Sequence, residues 1–178
     1  AQDSTPTLGI EEIIVTARKK DESIQDVPMA VTAITEQLRE SSVRRIEDIQ
    51  AFAPNLFINR TPGIASGAAI TIRGVASLES DKSYEPSIGV VMDGMFLGTS
   101  SGVLLDNFDI ERIEVLRGPQ GTLFGKNTTG GILNVIRTPV SLNEMGADLS
   151  LTVGDFGRQD AKAVVQLPII EDTLGLKV

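Results

Sequence analysis

The sequence has no cysteine, no histidine and no tryptophan, and only one tyrosine and six phenylalanines among 178 residues. Each absence closes a class of function. Without Cys or His there is no Ser-His-Asp or Cys-His catalysis, no thiolate or imidazole zinc site, no Cys-ligated iron–sulfur cluster and no disulfide. Carboxylate, lysine or serine chemistry remains, or none. Basic charge is also scarce: 16 Lys+Arg against 24 Asp+Glu give a net charge of −8. Binding to nucleic acid needs clustered positive charge to neutralise phosphates, so it is not expected. No apolar run reaches the ~18–20 residues of a membrane helix, and no basic start followed by an apolar stretch marks a signal peptide. The small, polar start Ala1-Gln2-Asp3-Ser4-Thr5-Pro6 suits a mature, exported protein trimmed after an Ala-rich site.

What is present is 17 glycines, 8 prolines and 41% hydrophobic residues, a turn-rich globular composition. The length suits one domain plus a fragment of another. Residues 1–23 combine Pro6, Gly9, the apolar Ile13-Ile14-Val15 and the charged run Arg18 to Glu22, and read as a flexible arm with one short strand. The compact part is expected from near Val27. Pro28 to Ile34 reads as a strand, Thr35 as the cap of a short helix through Arg39, and Arg45 to Phe52 as a second helix that Pro54 stops.

Leu56 to Ile58 and Ile70 to Arg73 read as strands joined by the small-residue loop Thr61–Ala69; a more polar loop runs from Ala76 to Pro86. Ile88 to Met92 and Met95 to Leu97 flank Asp93-Gly94, the pair that a type I′ turn favours because both central residues need positive φ. Ile110 to Arg117 alternates apolar and charged residues as a half-buried strand does, and Gly118-Pro119-Gln120-Gly121 ends it. Ile132 to Ile136 is the last strand of this unit. From about residue 143 the character changes. Ala147, Leu149, Leu151 and Val153, then Ala161, Ala163, Val165 and Leu167, alternate with polar residues around Gly154-Asp155-Phe156-Gly157. Two strands of about ten residues with this period fit either a membrane barrel or an amphipathic surface hairpin. A third run, Leu174 to Val178, begins in the same pattern, so more strands are expected beyond it.

Catalytic motifs fail on inspection. Gly121 to Asn127 is one residue short of a phosphate loop and has Asn127 where a magnesium-binding hydroxyl should follow Lys126. Glu111 and Glu114 are three apart on a strand and point to opposite faces, which is wrong for an acid/base pair. No enzyme is expected, and no cofactor or metal ligand set is visible.

One long motif is specific. Asp109 to Arg117, then Gly118-Pro119-Gln120-Gly121-Thr122-Leu123-Phe124-Gly125 and Asn127-Thr128-Thr129-Gly130-Gly131, closely resembles the plug-domain signature of TonB-dependent outer-membrane receptors. The resemblance extends to Asp26–Ile34, Ile72-Arg73-Gly74 and Val91–Gly98. Glu11, Glu12, Ile13, Ile14, Val15, Thr16 and Ala17 resemble the family's TonB box. The resemblance implies an α+β chain in three parts: an arm with the box (1–23), a plug of mixed β-sheet with short helices (24–142), and the first two to three antiparallel strands of a 22-stranded transmembrane barrel (143–178). It further implies an outer-membrane location with the plug facing the periplasm inside the barrel, and energised uptake of a scarce nutrient, foremost a ferric siderophore or other iron chelate. Carbohydrate, aromatic-acid and cobalamin receptors share the motifs, and a periplasmic signalling module without transport is the alternative; the ten residues before Glu11 favour transport.

The implied partners are the TonB C-terminal domain, outer-membrane lipid and the small-molecule nutrient. The box would add as a strand to the partner's sheet edge; the alternative is an N-terminal strand that pairs within its own domain. Arg73 and Arg117 resemble the family's arginines that contact acidic groups of the barrel wall, expected beyond residue 178. Loops carry binding on a rigid scaffold, so Thr61, Ser66, Glu79, Asp81, Lys82, Tyr84 and Glu85 are the candidates for touching substrate.

Overall fold

A computed structural model describes residues 12–35, 38, 45–61, 67–76, 85–98 and 108–178. The helix expected from Thr35 through Arg39 falls largely outside them, as do Glu11, Ser66, Glu79, Asp81, Lys82 and Tyr84.

The centre is a five-stranded mixed sheet in the order β3-β9-β10-β7-β8, made of β3 (Val31–Ile34), β7 (Ile88–Met92), β8 (Met95–Leu97), β9 (Ile110–Arg117) and β10 (Gly131–Arg137). Only β10 and β7 run parallel; the other pairs are antiparallel. β-Branched Ile and Val dominate these strands, as a pleated, packed surface favours. Asp93 and Gly94 both have positive φ and close the β7–β8 hairpin as the sequence predicts. Gly131 opens β10 at φ +145, where a Cβ would run into the Leu116 carbonyl oxygen, so only glycine lets β10 lie this close to β9.

Both faces of the sheet are covered. On one, Ile113, Val115, Leu133 and Val135 pack against Leu56, Ile58, Ile70 and Ile72 from a second sheet. That sheet orders β4 (Leu56–Arg60), β5 (Ala68–Ile72) and β6 (Val75–Ala76), and the 3-10 helix Ile46–Ala51 adds Ile46 and Ile49. On the other face, Leu116, Ile132 and Val91 pack against Val15, Ala17 and Val27. Each fully buried aliphatic side chain contributes ~1.5–3 kcal/mol, against ~0–1 kcal/mol for an exposed ion pair, so the two aliphatic layers hold the unit together. Among the described residues the only helical pieces in this unit longer than a single residue are the 3-10 helix and the four-residue turn Gly121–Phe124.

Among the described residues, the N-terminal segment pairs within its own domain. β1 (Ile14–Val15) pairs antiparallel with β2 (Glu22–Ser23), and the hairpin lies on the central sheet. The compact body therefore begins at Ile14, not near Val27. Val15 and Ala17 fill space over Leu116 and Ile132, which a sequence pattern of three apolar residues does not announce.

The last unit is a three-stranded antiparallel sheet of β11 (Gly146–Gly154), β12 (Arg158–Ile170) and β13 (Leu174–Lys177). Phe156, at φ 59, and Gly157, at φ 74, make the turn between β11 and β12. Leu149, Leu151, Val153, Leu167 and Leu176 are exposed, while Val164 and Gln166 on the opposite face are buried toward the first unit.

Candidate functional site

The segment 12–17 divides at Val15. Ile13 and Ile14 are 39% and 42% exposed, whereas Val15 and Ala17 are fully buried. The Ile13 carbonyl accepts the Ile24 N–H at 2.9 Å and Val15 stands opposite Glu22, so antiparallel alternation turns the Ile14 N–H and C=O to the outer edge of β1. No strand occupies that edge among the described residues. The next outward donor, the Thr16 N–H, is already used: it donates to Glu114 Oε1 at 2.7 Å.

Glu114 is the centre of this arrangement. The sequence pattern reads β9 as half-buried, but Glu114 is fully buried because the hairpin covers that face of the strand. Its carboxylate accepts from Thr16 Oγ1 at 3.1 Å, from Asn134 Nδ2 at 3.0 Å and from Arg112 Nε at 3.0 Å besides the Thr16 N–H. Burial alone would lower the Arg112 pKa, but the hydrogen bond and charge of Glu114, with those of Glu111, outweigh it and raise it. Asn134 also donates to Thr16 Oγ1 at 3.3 Å. The one sequence signal of this burial is the adjacent apolar pair Val115-Leu116, which implies that both faces of β9 are covered.

The hairpin is fastened beyond this point too. Arg18 Nε and Nη2 reach the two oxygens of Glu22 at 2.6 Å each, and Lys20 approaches the same carboxylate at 3.0 Å. The hydrogen bond from Arg18, aided by Lys20 and opposed by desolvation, holds Glu22 down to about 2.

Arg73 and Arg117 lie near each other with no carboxylate partner among the described residues. Arg73, at φ 52, and Gly74, at φ 81, form the turn between β5 and β6. Arg117 donates through Nε to the Pro54 carbonyl at 3.3 Å, but its Nη2 is buried with no acceptor among the described residues. Burial, and then the like charge of Arg73, push the Arg117 pKa below the usual arginine value.

Of the loop candidates, the Thr61 N–H bonds the Gly67 carbonyl at 3.0 Å and closes the loop between β4 and β5, and Glu85 is exposed and paired with Lys126. No group of acidic residues that could hold a metal occurs among the described residues.

The two units meet through contacts that the sequence does not reveal. Lys177 on β13 reaches Asp109 Oδ1 at 2.5 Å and the Thr138 carbonyl at 2.6 Å. Gln166 accepts the Ser141 N–H at 3.0 Å, and a Cβ on Gly175 would stand 2.5 Å from Val140 Cγ1. The polar face of β11–β13 thus packs on the exit of β10, and the apolar face points away.

Against known proteins, the TonB-dependent Receptor Plug Domain family matches residues 23–132. The chain belongs to this family. Among curated relatives, it is 26% identical over 156 residues to the vitamin B12 transporter BtuB of Vibrio vulnificus, covering 85% of this chain and 24% of that one. It is 32% identical over 127 residues to the pesticin receptor of Yersinia pestis, covering 70% of this chain and 18% of the receptor. Among solved structures, the ferric yersiniabactin uptake receptor FyuA of Yersinia pestis superposes with a TM-score of 0.69 at 27% identity, over 79% of this chain and 22% of FyuA. The chain thus spans about a quarter or less of the length of these relatives. The relatives are receptors and transporters, not enzymes. The mixed sheet with few helices is the plug of a TonB-dependent receptor.

Proposed function

We propose that this plug belongs to an outer-membrane receptor that takes up an iron chelate, with energy delivered by the TonB C-terminal domain binding at residues 11–17. The observation that carries the reading is the division of β11–β13, whose alternating apolar residues face outward while Gln166 and Lys177 face the plug. This division supports reading β11–β13 as the first strands of a lipid-facing barrel. The unpaired edge of β1 supports the partner site, since a strand can add there through main-chain hydrogen bonds. The unpaired Arg117 Nη2 beside Arg73 supports a role for both arginines in holding the plug through acidic groups of the barrel wall. Thr61 and Glu85, with Ser66, Glu79, Asp81, Lys82 and Tyr84, remain the proposed substrate-facing residues.

Cobalamin is the second reading, favoured by the match to the Vibrio vulnificus vitamin B12 transporter. A strain lacking the receptor separates the two. Loss of uptake of a radiolabelled ferric chelate, restored by the gene and abolished by dissipating the proton gradient, is the expected result. Normal uptake of every ferric chelate with loss of cobalamin uptake would transfer the assignment to cobalamin.

A further inference from the structure

We propose that Glu114 is a positioning residue for energy coupling: it clamps Val15–Ala17 on the plug, leaves Glu12–Ile14 as an open handle, and competes with the coupling partner for the Thr16 N–H. The inference rests on the reading of residues 11–17 as the partner-binding segment.

A strand that adds along β1 needs the outward N–H and C=O groups of alternate residues, which here belong to Glu12, Ile14 and Thr16. The docked hairpin offers the Ile14 groups but not the Thr16 N–H, which Glu114 Oε1 holds at 2.7 Å. A partner strand can therefore start on the handle and cannot extend past Ile14 until Glu114 lets go. Extension also draws Val15 and Ala17 out of the layer they form with Val27, Val91, Leu116 and Ile132.

The carboxylate is built to survive this release. When Thr16 leaves, Glu114 Oε1 keeps Arg112 Nε and Oε2 keeps Asn134 Nδ2, so no buried charge is left unpaired. A cavity of about 540 Å³, lined by Thr16, Lys19, Arg112, Phe124 and Asn134 among others, opens beside the clamp, so water can take the place of the departing strand. The clamp can open and reset without rearranging β9 or β10.

The test uses the complete receptor with a single cysteine at residue 12 carrying a nitroxide label, and the purified TonB C-terminal domain as the probe. Glu114→Ala should mobilise the label and tighten partner binding roughly tenfold, because binding no longer has to break two hydrogen bonds to a charged acceptor. Glu114→Gln keeps an oxygen for the Thr16 N–H and should fall between. Asn134→Ala, which leaves residues 11–17 and the Glu114 charge intact, should loosen the label by a smaller amount and provides the readout should Glu114→Ala fail to fold. An immobile label and a Kd within about twofold of wild type in Glu114→Gln and Asn134→Ala would overturn the clamp. A mobile label in Glu114→Ala, together with unchanged partner affinity when residues 11–17 are deleted, would overturn its coupling role and the partner-site reading while leaving the clamp geometry intact.

Discussion

Arg117→Met removes a guanidinium and keeps most of the aliphatic stem, and its effect should differ in size between the 178-residue chain and the complete receptor. In the chain, the losses are the Nε bond to Pro54 at 3.3 Å and its modest net worth of ~0.5–1.5 kcal/mol. Against this stand relief of the buried, acceptor-less Nη2 and of repulsion from Arg73. Replacing a poorly satisfied buried charge by an apolar group is often neutral or stabilising, so the net change should stay within ~1 kcal/mol. In the complete receptor the proposed acidic group of the barrel wall satisfies Nη2, and removing the guanidinium strands that acid at a cost of ~3–5 kcal/mol if the site is dry. An exposed pair would cost only ~0–1 kcal/mol. Denaturant unfolding of the chain in detergent, where micelles cover the apolar face of β11–β13, gives the first value. Melting of the plug in the complete receptor, with permeability to large antibiotics, gives the second. A loss in the receptor no larger than in the chain, with permeability unchanged, would refute the lock: Arg117 would then be a strand end without an acidic partner.

Ile14→Pro should leave the hairpin docked, because the Ile14 N–H points away from β2, yet abolish energised uptake while surface binding of substrate stays near normal; uptake at the wild-type rate would exclude this edge as the coupling site. Leu151→Lys should impair barrel assembly by ~2–4 kcal/mol if Leu151 sits near the bilayer midplane, whereas Thr152→Lys on the opposite face should be tolerated; outer-membrane fractionation and heat-modifiable migration separate the two. Glu22 titrates near 2 when paired with Arg18 against 4.5 when free, so between these values the opened hairpin binds more protons than the closed one. Its contribution to hairpin closure is therefore complete above pH 4.5 and lost as pH falls toward 2, and amide exchange in Ile13–Thr16 should rise over that window and do so less in Arg18→Ala.

Much of the strand framework was legible in sequence because it is written in local periodicity. The alternation in 147–153 and 161–167 and the Asp93-Gly94 pair each involve neighbours in the chain, and the strands formed where those patterns stand. The motif from Gly118 to Gly131 carried the family resemblance, and its glycines stand at turns with positive φ and where two strands nearly touch. Burial from both sides is not local. Glu114 belongs to an alternating pattern that reads as half-exposed, and only the hairpin 98 residues earlier in the chain, laid over β9, turns it into a buried acceptor for Thr16. The same holds for Lys177, whose charge reads as solvated until β13 packs against Asp109 and Thr138. Ile14 and Val15 look equivalent in sequence, yet one faces open water and the other the core, because the pairing of β1 with β2 and the docking of both decide which side each residue takes. The sequence determined where the longer strands and the Asp93-Gly94 turn occur, since those depend on backbone preferences within a few residues. Tertiary structure decided which polar groups are buried, paired or left waiting for a partner, since that depends on which surfaces meet.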